Sequence, residues 1–280
     1  MSSKKTRLPE SEAEWLSTGK FQVGSVMVNE KRIRYAITKG LENSRLVIMI
    51  GGIPREVEKR VKLPLINKLY GHLAIILQTS GVTSLLYNQP ATGGSSGDWH
   101  KETLSSRTET LVELVDYFGK QMHFLDYVLI GSSSGACMAI NAVEQIEKQG
   151  HKVSKLLLLS PAAYPKEVET VPYGKKFTDL LREPWDVATS PVFPKLKKFL
   201  ESGTSLLLCF FEYDDPPIPL YIQEYYRNFV RRFEEDGVDI LVMTIPGVTH
   251  NFRRIERKRG SVVDDDSIRA TAKIFSTFLK

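Results

Sequence analysis

No stretch of the 280 residues reaches the roughly 18 consecutive apolar residues that a membrane-crossing helix needs. The chain opens MSSKKTR and continues with polar and acidic residues, and its first apolar run is too short for a secretory signal. Cysteine is nearly missing. Cys137 and Cys209 alone make neither a disulfide framework nor a four-ligand zinc site, so a reduced, cytoplasmic protein is expected. There is no internal repeat, no low-complexity tract and no signature of a nucleic-acid-binding module, so no nucleic-acid partner is expected. At 42% hydrophobic and 25% charged residues the composition is that of an ordinary globular protein. A chain of this length buries roughly three quarters of its unfolded surface and needs no metal or cross-link to hold a core. The net charge is +5, concentrated in Lys4, Lys5 and Arg7 and in Arg253, Arg254, Arg257, Lys258 and Arg259. The second group could attract phosphates or anionic lipid; the plainer alternative is a solvated face.

Apolar patterning predicts an alternation of buried strands and amphipathic helices. After a polar lead-in (1–20), FQVGSVMV (21–28) and RIRYAIT (32–38) flank Asn29-Glu30 as a hairpin. LVIMI (46–50), VTSLLYN (82–88), YVLIG (127–131), LLLLS (156–160), SLLLCFF (205–211) and DILVMTI (239–245) are apolar runs without alternation, as in strands covered on both faces. Helices are predicted over 56–80, with breaks near Pro64 and Gly71, and over 101–118, 134–148, 220–236 and 265–280. This rhythm specifies an α/β fold with a mostly parallel, twisted sheet of about eight strands and helices on both faces, in one domain over 21–280. Prolines and aromatics break the rhythm over 161–203 and suggest a small cap.

In open α/β sheets ligands bind at the carboxyl ends of the strands, so the loops leaving them carry the chemistry. Gly131-Ser132-Ser133-Ser134-Gly135 joins strand 127–131 directly to helix 134–148, a G-x-S-x-G in strand–turn–helix context. Such a turn lifts the central hydroxyl, Ser133, out of a sharp corner at a helix N-terminus, whose partial positive charge favours a developing anion. A flexible linker is excluded by the apolar patterns abutting both sides. Serine needs a base. Of the five histidines, His72, His100, His123 and His151 lie in helices or at unsuitable ends, whereas His250 follows the last strand at its carboxyl end. An orienting carboxylate is available after strand 205–211 in Asp214 or Asp215, although Asp before Pro is also turn chemistry.

These segments together resemble the α/β-hydrolase superfamily of serine-nucleophile type, over roughly residues 25–280. The order Ser133, Asp214, His250 is that family's nucleophile–acid–base order. LLYNQPATGGSS (85–96) is similar to its Y-D-x-P-G-x-G-x-S loop, with Asn88 in place of Asp and Ala91 in place of Gly. VIMIGGIP (47–54) resembles its L-V-x-H-G-x-x segment with Gly51 for His, and FFEYDDPPIP resembles H-G-x-x-D with Phe211 for Gly. The resemblance implies Asp214 as the triad acid, with Asp215 as the alternative. It implies an oxyanion hole from the backbone N–H of Ser134 and that of Ile53, with Gly52 as the runner-up; Pro54 has no N–H to give.

The expected activity is a serine hydrolase, an esterase, thioesterase or lipase-like enzyme acting on a small-molecule ester, thioester or amide, with no metal or organic cofactor. Two rivals stand beside it. One is a non-catalytic binding or scaffold protein of the same fold, suggested by the departures at Gly51, Asn88, Ala91 and Phe211 and by the basic cluster. The other is an acyltransferase using the same serine. Aromatic residues of the 161–203 segment (Tyr164, Tyr173, Phe177, Trp185, Phe193) suit either an apolar substrate group or packing on the sheet. Cys137 is expected to be buried packing.

Overall fold

Asn29 and Glu30 both take positive φ (48° and 62°) and turn β1 (Gln22–Val28) into antiparallel β2 (Lys31–Thr38). Positive φ at both loop positions gives a hairpin the twist that right-handed strands require. A computed structural model describes residues 7–41, 44–52, 62–214, 217–256 and 260–279. Within it, β3 (Arg45–Ile50), β4 (Thr83–Tyr87), β5 (Asp126–Ser132), β6 (Val153–Leu159), β7 (Ser205–Tyr213) and β8 (Ile240–Thr249) form the parallel body of the sheet. β9 (Arg253–Glu256) and β10 (Gly260–Val263) close the far edge as an antiparallel hairpin. The ten strands run β1-β2-β4-β3-β5-β6-β7-β8-β9-β10.

The unbroken apolar runs have a direct cause. Along β3, Leu46, Ile48 and Ile50 pack into the core on one face, and Val47 and Met49 pack into the core on the other. The first face is covered by α3 (Leu104–Met122) and α4 (Ser134–Lys148), and the second by α2 (Lys68–Thr79) and α8 (Asp265–Phe278). Each fully buried aliphatic side chain of this kind contributes roughly 2 kcal/mol.

The structure departs from the sequence expectation, or adds detail to it, in four places. Among the described residues the sheet has ten strands, because residues 253–256 and 260–263 after His250 pair as β9 and β10; charge is what short edge strands commonly carry. Part of the lead-in is ordered: α1 (Glu12–Ser17) buries Trp15 against Phe21. Of the helix expected over 56–80, the part after the break near Pro64 runs from Lys68 to Thr79, unbroken at Gly71, and the Asn67 side chain accepts from Tyr70 N at 2.9 Å. Residues 62–67 are not helical, and 53–61 lie outside the described residues. The β6–β7 connection carries two helices, α5 (Lys175–Leu180) and α6 (Val192–Glu201). Its Tyr173, Phe177 and Phe193 are buried, and Tyr164 and Trp185 pack half-buried against the same core. Phe193 meets Tyr225, Tyr226 and Phe229 of α7 (Leu220–Glu235) at centroid distances of 4.5, 4.9 and 5.2 Å. Packing on the sheet and on α7 therefore accounts for these aromatics.

Two departures in the loop after β4 acquire a local account. Asn88 is buried and closes the loop by donating its Nδ2 to Gly93 O at 2.7 Å. Ala91 sits at φ 59°, a left-handed position that glycine takes without cost. Ala91→Gly is expected to stabilise the fold by about 1 kcal/mol, after the greater chain entropy of glycine is set against the steric relief. That corresponds to a rise of about 2 °C in the calorimetric midpoint. A lowered midpoint would show that the alanine methyl contributes more packing than the strain costs.

Candidate active site

Ser133 sits at the corner between β5 and α4 with φ 54° and ψ −122°, a conformation that L-residues seldom adopt. The corner can be this tight only because its neighbours lack side chains. A Cβ on Gly135 would collide with the Ile50 carbonyl, and one on Gly131 with the α4 backbone at Ala136. The Ser133 backbone is tied to the next strand: its N–H donates to Leu159 O at 2.9 Å, and its carbonyl accepts from Ala162 N at 3.2 Å. Ser134 opens α4, so its N–H lies in the first turn of a 15-residue helix, where the dipole is positive.

Asp214 follows β7 and His250 follows β8, two strands that pair in parallel. A register shift between Phe211 and Tyr213 places Tyr213 opposite Thr249, and Gly247 N donates to Glu212 Oε2 at 2.6 Å. These two features bring the ends of β7 and β8 together. Asp214 Oδ1 then lies 2.6 Å from His250 Nδ1. Asp214 is buried, and its other oxygen accepts from Phe211 N at 3.2 Å and from the Ser160 hydroxyl. A buried carboxylate is tolerated when donors compensate its lost hydration, and here three converge on it. Phe211, where the resemblance expects glycine, lies edge-on to His250 with ring centroids 6.1 Å apart and packs on Phe252 at 4.6 Å.

The structure thus joins Asp214 to His250 directly. Asp215 and Ile53 lie outside the described residues. Among the described residues no hydrogen bond joins Ser133 Oγ to His250 Nε2; such bonds are commonly long until substrate tightens them. What connects the two is a short path along the sheet edge. Ser133 bonds to the end of β6, Ser160 follows β6 and bonds to Asp214, and Asp214 bonds to His250. Gly52 lies hard against the serine, since a Cβ there would be 2.9 Å from Ser133 Cβ. Its N–H, however, is committed to Ser132 Oγ at 3.2 Å. Of the remaining histidines, His151 faces Asp116 at 3.4 Å, far along the chain from these loops. Burial pushes the Cys137 thiol up to about 12, which leaves it protonated and unreactive.

Three contributors are not singled out by the sequence. Ser132 is inside the motif but reads as filler. Ser160 follows β6 at φ 45° and is fully buried. Arg107 is fully buried on α3 and reaches Gln89. Its signal was available, since it stands three residues after Leu104 and four before Leu111 on an otherwise apolar stripe.

Ser160→Ala removes one of the donors to Asp214 while leaving Phe211 N and His250 in place. A hydrogen bond to a charged acceptor contributes about 2 kcal/mol. Loss of roughly that much stability is expected by denaturant unfolding. If Asp214 serves catalysis, kcat on an ester should fall by about tenfold. An unchanged midpoint would mean that Ser160 does not hold the carboxylate.

No family model and no curated relative matches the chain in sequence. Solved structures do match in fold. A putative hydrolase from Agrobacterium vitis superposes with a TM-score of 0.62 at 14% identity, covering 93% of this chain and 99% of that one. Est1E from Butyrivibrio proteoclasticus, solved with ferulic acid bound, gives 0.62 at 16% identity over 91% and 98% of the two chains. An alpha-beta serine hydrolase homologue from Coxiella burnetii gives 0.58 at 15% identity over 92% and 97%. The chain has the α/β-hydrolase fold. No helix among the described residues is long and apolar enough to cross a membrane.

Proposed function

We propose that the protein is a serine hydrolase that cleaves a carboxylic ester, thioester or amide of a small-molecule acyl substrate. Ser133 is the nucleophile, His250 the base and Asp214 the residue that orients it. The observation that carries this is the strained Ser133 at the N-terminus of α4, on the sheet edge where Asp214 and His250 pair at 2.6 Å.

In the first half-reaction Ser133 Oγ bonds to the carbonyl carbon while His250 Nε2 takes the hydroxyl proton, and the carbonyl electrons move onto oxygen. The Ser134 N–H, in the first turn of α4, is the donor assigned to that oxyanion, and the loop after β3 is assigned the second. Collapse expels the alcohol, thiol or amine, which leaves with the proton from His250. Water then repeats the sequence against the acyl-enzyme and frees the acid. Asp214 accepts from Nδ1–H, fixes the tautomer that leaves Nε2 able to accept, and stabilises the imidazolium. Solved neighbours described as hydrolases support the class. Ferulic acid bound to Est1E puts an aromatic acyl ester among the substrates to try.

The test is a p-nitrophenyl ester series of increasing chain length together with a feruloyl ester. Turnover of at least one, abolished by a fluorophosphonate, is expected. A well-folded protein that neither turns over any of them nor reacts with the fluorophosphonate would remove this function and leave a binding or scaffold role.

A further inference from the structure

The peptide between Gly51 and Gly52 is held at both ends. Its carbonyl oxygen accepts from Gln89 Nε2 at 2.5 Å, and its N–H donates to Ser132 Oγ at 3.2 Å. A peptide unit is planar, so anchors on its two opposite groups fix its rotation about the chain. The next peptide, which carries the chain to residue 53, can then turn only about the two dihedrals of Gly52. A side chain on Gly51 would meet nothing within 4 Å, so sterics alone do not set this orientation; the hydrogen bonds do.

Gln89 is itself held. Its Oε1 accepts from Arg107 Nη1 at 3.1 Å, which assigns the amide so that the NH₂ faces Gly51. Arg107 Nη2 donates to Pro90 O at 2.9 Å. The guanidinium rests against a stacked aromatic pair, 4.7 Å from the Trp99 ring centroid and 4.6 Å from that of Tyr173, the two rings lying 4.9 Å apart. Gln89 and Arg107 are both buried. A buried guanidinium is expensive to place, and its planar fork, hydrogen-bonded to Gln89 and Pro90 and packed on the aromatic pair, has one orientation that satisfies these partners. Tyr173 belongs to the β6–β7 connection and is fixed to the same segment by its N–H, which donates to Glu102 O at 3.0 Å.

We infer that Gln89 is a positioning residue for the oxyanion loop, held by the Arg107 guanidinium, which rests against the stacked Trp99–Tyr173 pair. Through this chain the β6–β7 connection and the loop that faces Ser133 are mechanically coupled. The inference rests on the serine-hydrolase function proposed above. Neither residue touches the reacting atoms; both act through the Gly51–Gly52 peptide. Consecutive polarised hydrogen bonds from a cation through an amide to a carbonyl also reinforce one another in a dry interior.

Gln89→Glu is the discriminating variant. The carboxylate keeps a strong acceptor for Arg107 and has no donor for the Gly51 carbonyl, so it repels that oxygen. The fold should persist, with kcat on a p-nitrophenyl ester lowered about 10- to 100-fold. KM should change less than threefold, because substrate binding before attack does not use the oxyanion donors. The second-order rate of fluorophosphonate labelling should fall by a similar factor, since the phosphoryl oxygen uses the same donors. Gln89→Met, which abandons both hydrogen bonds while filling the space, should show the same split if the charged variant unfolds. Wild-type protein that labels, beside folded Gln89 variants that label and turn over at the wild-type rate, overturns the positioning role alone. A change confined to KM also overturns it. Wild-type protein that does not label at all overturns the serine-hydrolase function, and the positioning role with it.

Discussion

Ser133→Gly is expected to abolish ester hydrolysis and at the same time to make the protein more stable. The residue is held at φ 54° and ψ −122°, where a side chain costs on the order of 1–3 kcal/mol and glycine costs far less. Such strain persists only where the surroundings enforce it. Here the Ser133 N–H bond to Leu159 O and the packing of Gly135 beneath Ile50 do so. Removing the hydroxyl of a triad serine lowers kcat by roughly 10⁶-fold. Ser133→Ala should lose the same activity with little gain in stability, because alanine retains the Cβ that is strained. The pair of variants separates the nucleophile from the strain that presents it. Calorimetry should show a midpoint raised by several degrees for the glycine variant. Retained turnover in either variant would contradict the assignment, and a destabilised glycine variant would contradict the strain.

Asp214→Asn is expected to lower kcat by about 10⁴-fold with the fold intact. The direction follows from the partners. One oxygen of Asp214 accepts from Ser160 and Phe211 N, both donors, so the asparagine oxygen must occupy that side. Its NH₂ then faces His250 Nδ1 at the place where a carboxylate oxygen stood. The imidazole responds by placing its proton on Nε2, the atom that has to accept from Ser133. The base is thereby present, correctly placed and in the wrong tautomer. Steady-state kinetics on the best ester should show the loss in kcat with KM within a few fold. A loss of less than tenfold would mean that another carboxylate orients His250, and Asp214 would then be a structural anchor.

Much of this architecture is legible in the chain because burial on both faces of a parallel sheet leaves a plain mark. Residues 46–50 and 127–131 are apolar without alternation, and helix 134–148 was bounded correctly by the turn that precedes it. The Asp214–His250 pair lies where the strand ends place it, since a loop at the carboxyl end of one strand reaches only its neighbours. What was not legible depends on partners distant in sequence. The hairpin of β9 and β10 is short and charged, and its pairing arises from position at the sheet edge more than from intrinsic preference. Ser160 gains meaning only when the end of β6 comes beside Asp214, 54 residues later. The commitment of the Gly52 N–H to Ser132, 80 residues on, could not be read from glycine's presence in a loop. Arg107 is the instructive case. A charge on the apolar stripe of α3 was visible, but its role required the structure, because Gln89 and Trp99 of the β4–α3 loop and Tyr173 of the β6–β7 connection converge on it.

The most direct test of the central claim is to react the intact protein with a fluorophosphonate, digest it and locate the adduct by mass spectrometry. One equivalent is expected, with fluoride released, on Oγ of Ser133, and none is expected in Asp214→Asn over the same time. An adduct on any other residue, or an unmodified Ser133 in folded protein, would contradict it.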